Sequence, residues 1–189
     1  MFIGHFGVAL AAKKVAPRTS LGTLILAAQF LDFLWPLFLL LGLEHVRIAP
    51  GSTKVTPLEF IDYPISHSLL MALVWAVLFG GTYYMLRGYA RGTWVVAAAV
   101  LSHWVLDFIV HCPDLQLLPG VRLRVGLGLW NSLPASVAVE TLFFGWIGTL
   151  LAGAPPNVPS IAWGGLAMLL TVLWGWWADK HRAVVYSTQ

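Results

Sequence analysis

The stretch SHWVLDFIVH, residues 102–111, places three ionisable side chains in a segment that otherwise has the composition of a membrane-spanning helix. Side chains four residues apart share one face of an α-helix, so His103, Asp107 and His111 form a polar stripe on an apolar rod. Ionisable groups at membrane depth are costly, and they usually mark an ion site, a proton path or a catalytic site. The stretch therefore predicts a membrane bundle with a functional site inside it.

The composition of the whole chain is that of an integral membrane protein. Hydrophobic residues make up 59% of the 189 residues and charged residues 10%, which lies outside the range of soluble globular proteins. The net charge of +3 is spread over short loops and ends, which favours membrane lipids as partners and argues against nucleic acid. Cys112 is the single cysteine, which excludes an intramolecular disulfide and a cysteine-based zinc site.

The hydrophobic pattern predicts an all-α, multi-pass membrane bundle in one domain over residues 1–189. Five apolar stretches approach the length of about 20 residues that crosses a bilayer. They are 20–43, 65–86, 92–112, 134–154 and 159–178. Residues 2–16 are too short to cross and are interpreted as a half-length or re-entrant helix. The proline-containing segments 44–64 and 113–133 are predicted irregular loops, the first of them packed over the bundle.

Six polar residues from separate segments are predicted to lie at a similar depth. They are His5, Asp32, His67, His103, Asp107 and Glu140. A helix rises about 1.5 Å per residue, which puts Asp32, His103 and Asp107 about 18, 17 and 22 Å from one side of the membrane. His67 and Glu140 are expected in the first turns of spans that start from the opposite side. All six are therefore expected to meet in one half of the bundle.

Imidazole and carboxylate groups together suit a divalent metal ion such as zinc, manganese or iron. His103 and Asp107 can point two donor atoms at one ion from one helical face. The alternative for this pair is an uncharged histidine that hydrogen-bonds to Asp107. His111 lies at the end of its span, where an interfacial histidine needs no special role.

The other candidates also have structural alternatives. Ser66 precedes His67 at the start of the second span, and serine is a common N-cap residue. A glutamate in the first turn of a helix, as predicted for Glu140, also complements the helix dipole. Asp32 lies among Phe, Leu and Trp, where a carboxylate needs a cation or an unusual protonation state.

The order of these residues resembles the bacterial membrane-bound metal-dependent hydrolases, a family also described as LexA-binding, inner-membrane-associated hydrolases. The resemblance rests on an N-terminal Gly-His at His5, Asp32 in the first span, Ser-His-Ser around His67, and His103-x-x-x-Asp107. It covers about residues 1–115. It implies a membrane-embedded relative of the zinc-dependent phospholipase C and nuclease helical fold, located in the bacterial inner membrane.

The resemblance also implies a set of metal ligands. They are His5, Asp32, His67, His103, Asp107 and His111, with Glu140 matching a final glutamate of the family pattern. Three departures favour one or two ions over three. The His-Arg that usually precedes Thr-His-Ser in the family is absent from residues 62–68. Asp32 stands alone where the family has Pro-Asp-x-Asp, and Ser136 stands where a histidine would precede Glu140 by four residues.

The sequence thus predicts a metal-dependent hydrolase that acts on a phosphoester or related bond of a lipid or lipid-linked substrate. Zinc is the first expectation for the metal, with manganese or iron as alternatives. Asp107 and Glu140 are the predicted catalytic residues, and Glu140 would act as ligand or general base. Arg122 and Arg124 are candidates to hold a substrate phosphate, and headgroup anchoring is their alternative role. Two other functions stay open: a divalent-metal or proton transport protein that uses the same cluster, and a scaffold with a structural metal.

Overall fold

A computed structural model describes residues 3–144 of the chain. Within that range the chain forms seven α-helices and two short antiparallel β-hairpins. The helices are α1 (Gly4–Val15), α2 (Leu21–Ala28), α3 (Phe30–Leu40), α4 (Pro64–His67), α5 (Leu69–Arg87), α6 (Ala90–Val110) and α7 (Leu133–Thr141). The strands are β1 (His45–Ile48), β2 (Leu58–Asp62), β3 (Leu115–Gln116) and β4 (Arg124–Val125). The predicted helical membrane bundle is confirmed.

Three of the predicted spans fall within the described residues. Helices α5 and α6 are each long and apolar enough to cross a membrane, and α2 with α3 forms a third span if the bent pair counts as one. α5 ends at Gly88, whose left-handed backbone (φ 60°) turns the chain back into α6. Only the first part of the predicted span 134–154 is described, and the predicted span 159–178 lies outside the described residues.

The predicted first span is bent, because α2 and α3 meet at Gln29 at an angle of 53°. The Ala28 carbonyl would accept from the Asp32 N–H in a continuous helix. It instead lies 2.7 Å from Nδ1 of the buried His103 ring on α6. The break therefore replaces one helical hydrogen bond by a contact to α6 and sets Asp32 in the first turn of a new helix.

The predicted second span is also divided, into the single turn α4 and the long helix α5. Ser68 separates them in an extended conformation, and its hydroxyl accepts a hydrogen bond from the Met71 N–H at the start of α5. This serine is the N-cap of α5. His67 is therefore the last residue of α4 and not part of a spanning helix.

Small and aliphatic side chains fill the space between α1, α2 and α6. Those that are fully shielded include Ala9, Leu24, Ala27, Ala28, Leu31, Val96 and Val100. Gly7 brings α1 against the residues after α7, since a Cβ there would overlap the carbonyl oxygen of Phe143. The result is a tightly packed bundle whose buried His, Asp and Glu residues collect toward one end.

Both segments predicted as irregular loops contain short hairpins. In the first, β1 pairs with β2 so that Ile48 lies opposite Leu58. Phe60 of β2 packs its ring 4.8 Å from the His111 ring, so this segment covers the bundle as expected. In the second, β3 pairs with β4. Gly126 follows with a φ of 156°, and its lack of a Cβ lets the backbone pass against the His111 and Cys112 carbonyls at the end of α6.

Candidate metal centre

Five of the predicted ligands come together at one end of the bundle, and each element contributes from a different direction. They are His5 on α1, Asp32 on α3, His67 on α4, and His103 and Asp107 on α6. The donor atoms form two overlapping groups, one of His5, His103 and Asp107 and the other of Asp32, His67 and His103. Because both groups share the one free ring nitrogen of His103, they suit a single ion, and a second ion would have to share a carboxylate instead.

The distances between the donor atoms are those of a coordination shell. His103 Nε2 lies 3.2 Å from Asp107 Oδ2 and 3.5 Å from Asp32 Oδ1. His67 Nε2 lies 3.6 Å from each of the same two oxygens, and His5 Nε2 lies 3.3 Å from Asp107 Oδ1. Two ligand atoms that each sit 2.0–2.1 Å from a tetrahedral zinc ion stand about 3.3 Å apart. The cluster therefore has the spacing that a small divalent ion requires.

Four of the five donor residues are buried, and Asp32 is the exception. His103 is fully buried, and His5 and Asp107 are nearly so. Within the described part of the chain, His103 Nε2 is shielded and makes no hydrogen bond of normal geometry. A buried nitrogen without such a partner is costly unless something else occupies its lone pair. A metal ion at this position would meet that need.

The His103 ring is oriented by the break between α2 and α3. Its Nδ1 lies 2.7 Å from the Ala28 carbonyl oxygen, which can only accept a hydrogen bond. Nδ1 therefore carries a proton, and Nε2 faces the carboxylates of Asp32 and Asp107. A histidine that donates from one nitrogen to a carbonyl while the other faces a ligand site is the usual arrangement at protein metal centres.

His67 is oriented by a chain of hydrogen bonds that begins at Glu44. The Glu44 carboxylate, 1% exposed, accepts from the Ile65 and Ser66 N–H groups at 2.8 and 2.7 Å and from the Ser66 hydroxyl at 2.7 Å. That hydroxyl has given its only proton to Glu44, so it accepts from His67 Nδ1 at 2.7 Å. The Nε2 lone pair of His67 then faces the cluster. The sequence analysis did not single out Glu44. The one available signal was that Glu44 is acidic and directly follows the first predicted span.

His111 stands at the edge of the cluster. It follows the last residue of α6, in an extended conformation, and its Nε2 is 4.0 Å from Asp107 Oδ2. Its Nδ1 lies 3.0 Å from Asp114 Oδ1, which also accepts from the Tyr63 hydroxyl at 2.6 Å. Burial, followed by the neighbouring Asp114 carboxylate, raises the pKa of Tyr63 well above its usual value. His111 belongs to neither donor group, and its role as a ligand stays a prediction.

Glu140 is fully buried, and its carboxylate accepts hydrogen bonds at the start of α1. It lies in the last turn of α7 and not in the first turn of a helix, as the sequence suggested. Its Oε2 accepts from the Ile3 and Gly4 N–H groups at 2.9 and 2.8 Å. The carboxylate thus complements the positive end of α1, the helix that carries His5. Glu140 belongs to neither donor group, and its role as general base stays a prediction.

Asp32, Trp35 and Phe60 border a cavity of about 110 Å³ that opens onto the cluster. The cavity is also lined by Thr56, Leu58, His67, Asp107, His111 and Trp130. The Asp32 side chain is 48% exposed, which makes it the most accessible of the five donors. Arg122 and Arg124 do not line the cavity; both are exposed, and Arg124 Nη2 donates to the Ile61 carbonyl at 2.7 Å.

Comparison with known proteins relates part of the chain to small membrane proteins of bacteria. A UPF0060 membrane protein of Photobacterium profundum is 33% identical over 70 residues, which is 37% of this chain and 61% of the relative. A UPF0060 membrane protein of Xanthomonas campestris pv. campestris is 36% identical over 63 residues, 33% of this chain and 54% of the relative. The chain thus spans less than two thirds of the length of the curated relatives it matches. No family model matches it, and no solved structure is a significant match.

These findings correct the family resemblance drawn from the sequence. The relatives are named UPF0060 membrane proteins and not metal-dependent hydrolases, so the assignment to the membrane-bound metal-dependent hydrolases is wrong. The order of His and Asp residues that suggested it is too short a signal to establish a family. The relatives and the apolar helices agree that the chain is a multi-pass membrane protein, as expected for the inner membrane of a bacterium.

Proposed function

We propose that this membrane protein binds a divalent metal ion at the His/Asp cluster and uses it to hydrolyse a phosphoester or related bond of a lipid or lipid-linked substrate. One observation carries the proposal: buried imidazole nitrogens and carboxylate oxygens lie at ligand spacing from one another, beside a cavity. The proposal rests on this geometry and not on kinship with any hydrolase.

The metal would be held by His5, Asp32, His67, His103 and Asp107. Zinc fits the mixture of nitrogen and oxygen donors best, and manganese or iron would also fit. A bound ion supplies a Lewis acid and lowers the pKa of a coordinated water toward neutrality. The hydrogen bonds that orient the rings of His67 and His103 would fix their donor atoms in advance.

The cavity supports a catalytic site in preference to a closed structural one. Structural metal sites are fully enclosed by protein ligands, whereas catalytic sites keep one position open. The half-exposed Asp32 marks the side from which a substrate would approach. Trp35, Phe60 and Trp130 give that approach an aromatic wall, which suits the apolar part of a lipid-linked molecule.

The test is metal-dependent turnover by the full chain. The protein would be purified in detergent, stripped with a chelator and reloaded with zinc or manganese before incubation with phospholipids and with a generic phosphodiester. We expect turnover that requires the metal and falls at least about a hundredfold in Asp32→Asn, since a lost ligand should cost at least as much as a lost supporting contact. Glu59→Gln is the control, because this half-exposed carboxylate pairs with Arg47 on the β1–β2 hairpin and contacts none of the cluster residues. Metal bound at the site without turnover of either substrate would contradict the proposal.

A second candidate, transport of a divalent metal or of protons, is favoured by the break between α2 and α3. Secondary transporters often place their ion sites at interrupted helices, and Asp32 lies three residues beyond this one. Against it, Leu24, Val96 and Val100 are fully buried, and they pack the bundle interior. Metal flux into liposomes, lost in Asp32→Asn, would establish transport. Bound metal with neither flux nor turnover would indicate a structural ion.

A further inference from the structure

We propose that the end of the bundle opposite the His/Asp cluster binds an anionic phospholipid. Its phosphate would lie between Arg18 and Arg87, and one acyl chain would lie in the groove between α2 and α5. This site is separate from the metal centre and does not depend on the proposed function.

The headgroup part is a polar cavity of about 240 Å³. It is lined by Arg18, Ser20, Thr23, Tyr83, Arg87 and Tyr89. These six side chains include two guanidinium groups and no carboxylate, so the cavity is electropositive. The Arg18 guanidinium lies 4.8 Å above the centre of the Tyr89 ring, a cation–π contact that holds it at the cavity wall. Guanidinium groups bind phosphate oxygens through two parallel hydrogen bonds.

The acyl-chain part is an apolar groove of about 470 Å³. Its walls are formed mainly by Leu26, Phe30, Trp75, Leu78, Phe79 and Leu86. Thr23, Tyr83 and Arg87 line both the groove and the polar cavity, so the two are adjacent and share a wall. A molecule that fills both must be anionic at one end and apolar along the rest. An inorganic phosphate would use only the first part, and a neutral lipid only the second.

The position along the membrane fits a lipid headgroup. Helix α5 has 19 residues and is therefore about 28 Å long, which is close to the thickness of the hydrocarbon core of a bilayer. The helix starts two residues after His67 and ends at Arg87, so the metal centre and the two arginines lie near opposite interfaces. The bound lipid would belong to the other leaflet from the metal centre and would not be the substrate of the proposed hydrolase.

The test measures lipid retention by native mass spectrometry of the full chain released from detergent. Phosphatidylglycerol and phosphatidylcholine with identical acyl chains would be offered to the native protein, to Arg18→Gln/Arg87→Gln and to Leu78→Trp. Arg91→Gln is the control, because Arg91 is exposed at the same end but lines neither cavity. Melting of each variant in lipid-free detergent verifies that it is folded.

We expect the native protein and Arg91→Gln to retain phosphatidylglycerol in preference to phosphatidylcholine. Each arginine removed from the cavity should weaken the binding of phosphatidylglycerol about fivefold, since one basic group near an anionic surface contributes about 1 kcal/mol. Leu78→Trp should reduce the retention of both lipids, because the larger side chain fills the groove. Equal retention of the two lipids, an equal loss in Arg91→Gln, or displacement of the lipid by soluble glycerol phosphate would overturn the proposal.

Discussion

The two ends of the bundle bury polar side chains in opposite ways. At one end, Thr19 and Tyr83 are almost fully shielded, and their hydroxyls hydrogen-bond to each other at 2.8 Å. At the other end, His103 Nε2 is equally shielded, yet it faces carboxylate oxygens at 3.2 and 3.5 Å without normal hydrogen-bond geometry. The two hydroxyls of the first pair are each other's hydrogen-bond partner. The buried polar atoms of the first end are satisfied within the protein, whereas the shielded nitrogen at the other end is left for the proposed metal ion.

The largest effect on the cluster end is expected from Asp107→Asn, which should lower metal affinity. Asp107 lies within 4.0 Å of His5, His67, His103 and His111, and no other described carboxylate contacts so many of these rings. An amide of the same shape keeps the packing but loses the charge that a cation needs. We expect metal affinity to fall by more than about a hundredfold, because even supporting contacts of metal ligands are worth 10–100-fold. Competition with a fluorescent chelator measures it, and an affinity equal to that of the native protein would remove Asp107 from the site.

A smaller loss should follow Glu44→Gln, which acts on the metal only through Ser66 and His67. The amide nitrogen that replaces Oε2 cannot accept the Ser66 proton, so the serine no longer holds His67 in its orientation. We expect metal affinity to fall by about 10–100-fold. The same chelator competition measures it, with Glu59→Gln as an exposed control. A variant that binds metal as tightly as the native protein would show that His67 needs no such support.

Tyr63→Phe tests the cluster end through the dependence of the protein's stability on pH. Burial and Asp114 raise the pKa of Tyr63, so the folded protein favours the neutral phenol. The stability this adds is complete below the ordinary tyrosine pKa near 10 and is lost as the pH rises above it. The variant should be about 1 kcal/mol less stable at neutral pH through the lost hydrogen bond, and its stability should fall less between pH 10 and 11. Thermal melts in detergent across that range measure both, and parallel curves would contradict the assignment.

The smallest effect is expected for Thr19→Val/Tyr83→Phe at the satisfied end. Replacing both partners of a buried hydrogen bond by apolar groups of similar shape is close to neutral. We expect a change in the free energy of unfolding within about 1 kcal/mol and no change in metal affinity. Denaturation in detergent and chelator competition measure the two quantities. A loss of metal binding here would mean that the two ends are coupled.

The sequence predicted the members of the cluster better than the backbone that presents them. The spacing of His103 and Asp107, the similar predicted depth of the other polar residues and the family resemblance together anticipated five residues that the structure brings together. The break at Gln29 could not be anticipated, since it depends on His103 of a distant helix reaching the Ala28 carbonyl. Glu44 was missed for the same reason: its contacts to Ser66 arise from how the segment after α3 folds back.

Other errors came from assigning residues to helices by hydrophobicity alone. Glu140 was placed in the first turn of a span, but α7 begins at Leu133 and the carboxylate reaches the start of α1 instead. The segments 44–64 and 113–133, which contain the hairpins, were predicted to be irregular because both contain prolines and glycines. Their short strands carry few residues each, and so few give no clear alternation of apolar and polar side chains.

The most direct test of the metal centre is elemental analysis of the full chain, purified in detergent without added metal. His103→Ala/Asp107→Ala removes the two donors of α6, and Thr19→Val/Tyr83→Phe serves as the folded control. The proposed metal site predicts one or two equivalents of zinc or manganese in the native protein and in the control, and none in the first variant. A well-folded native protein that carries no metal and takes up none on titration would contradict the account.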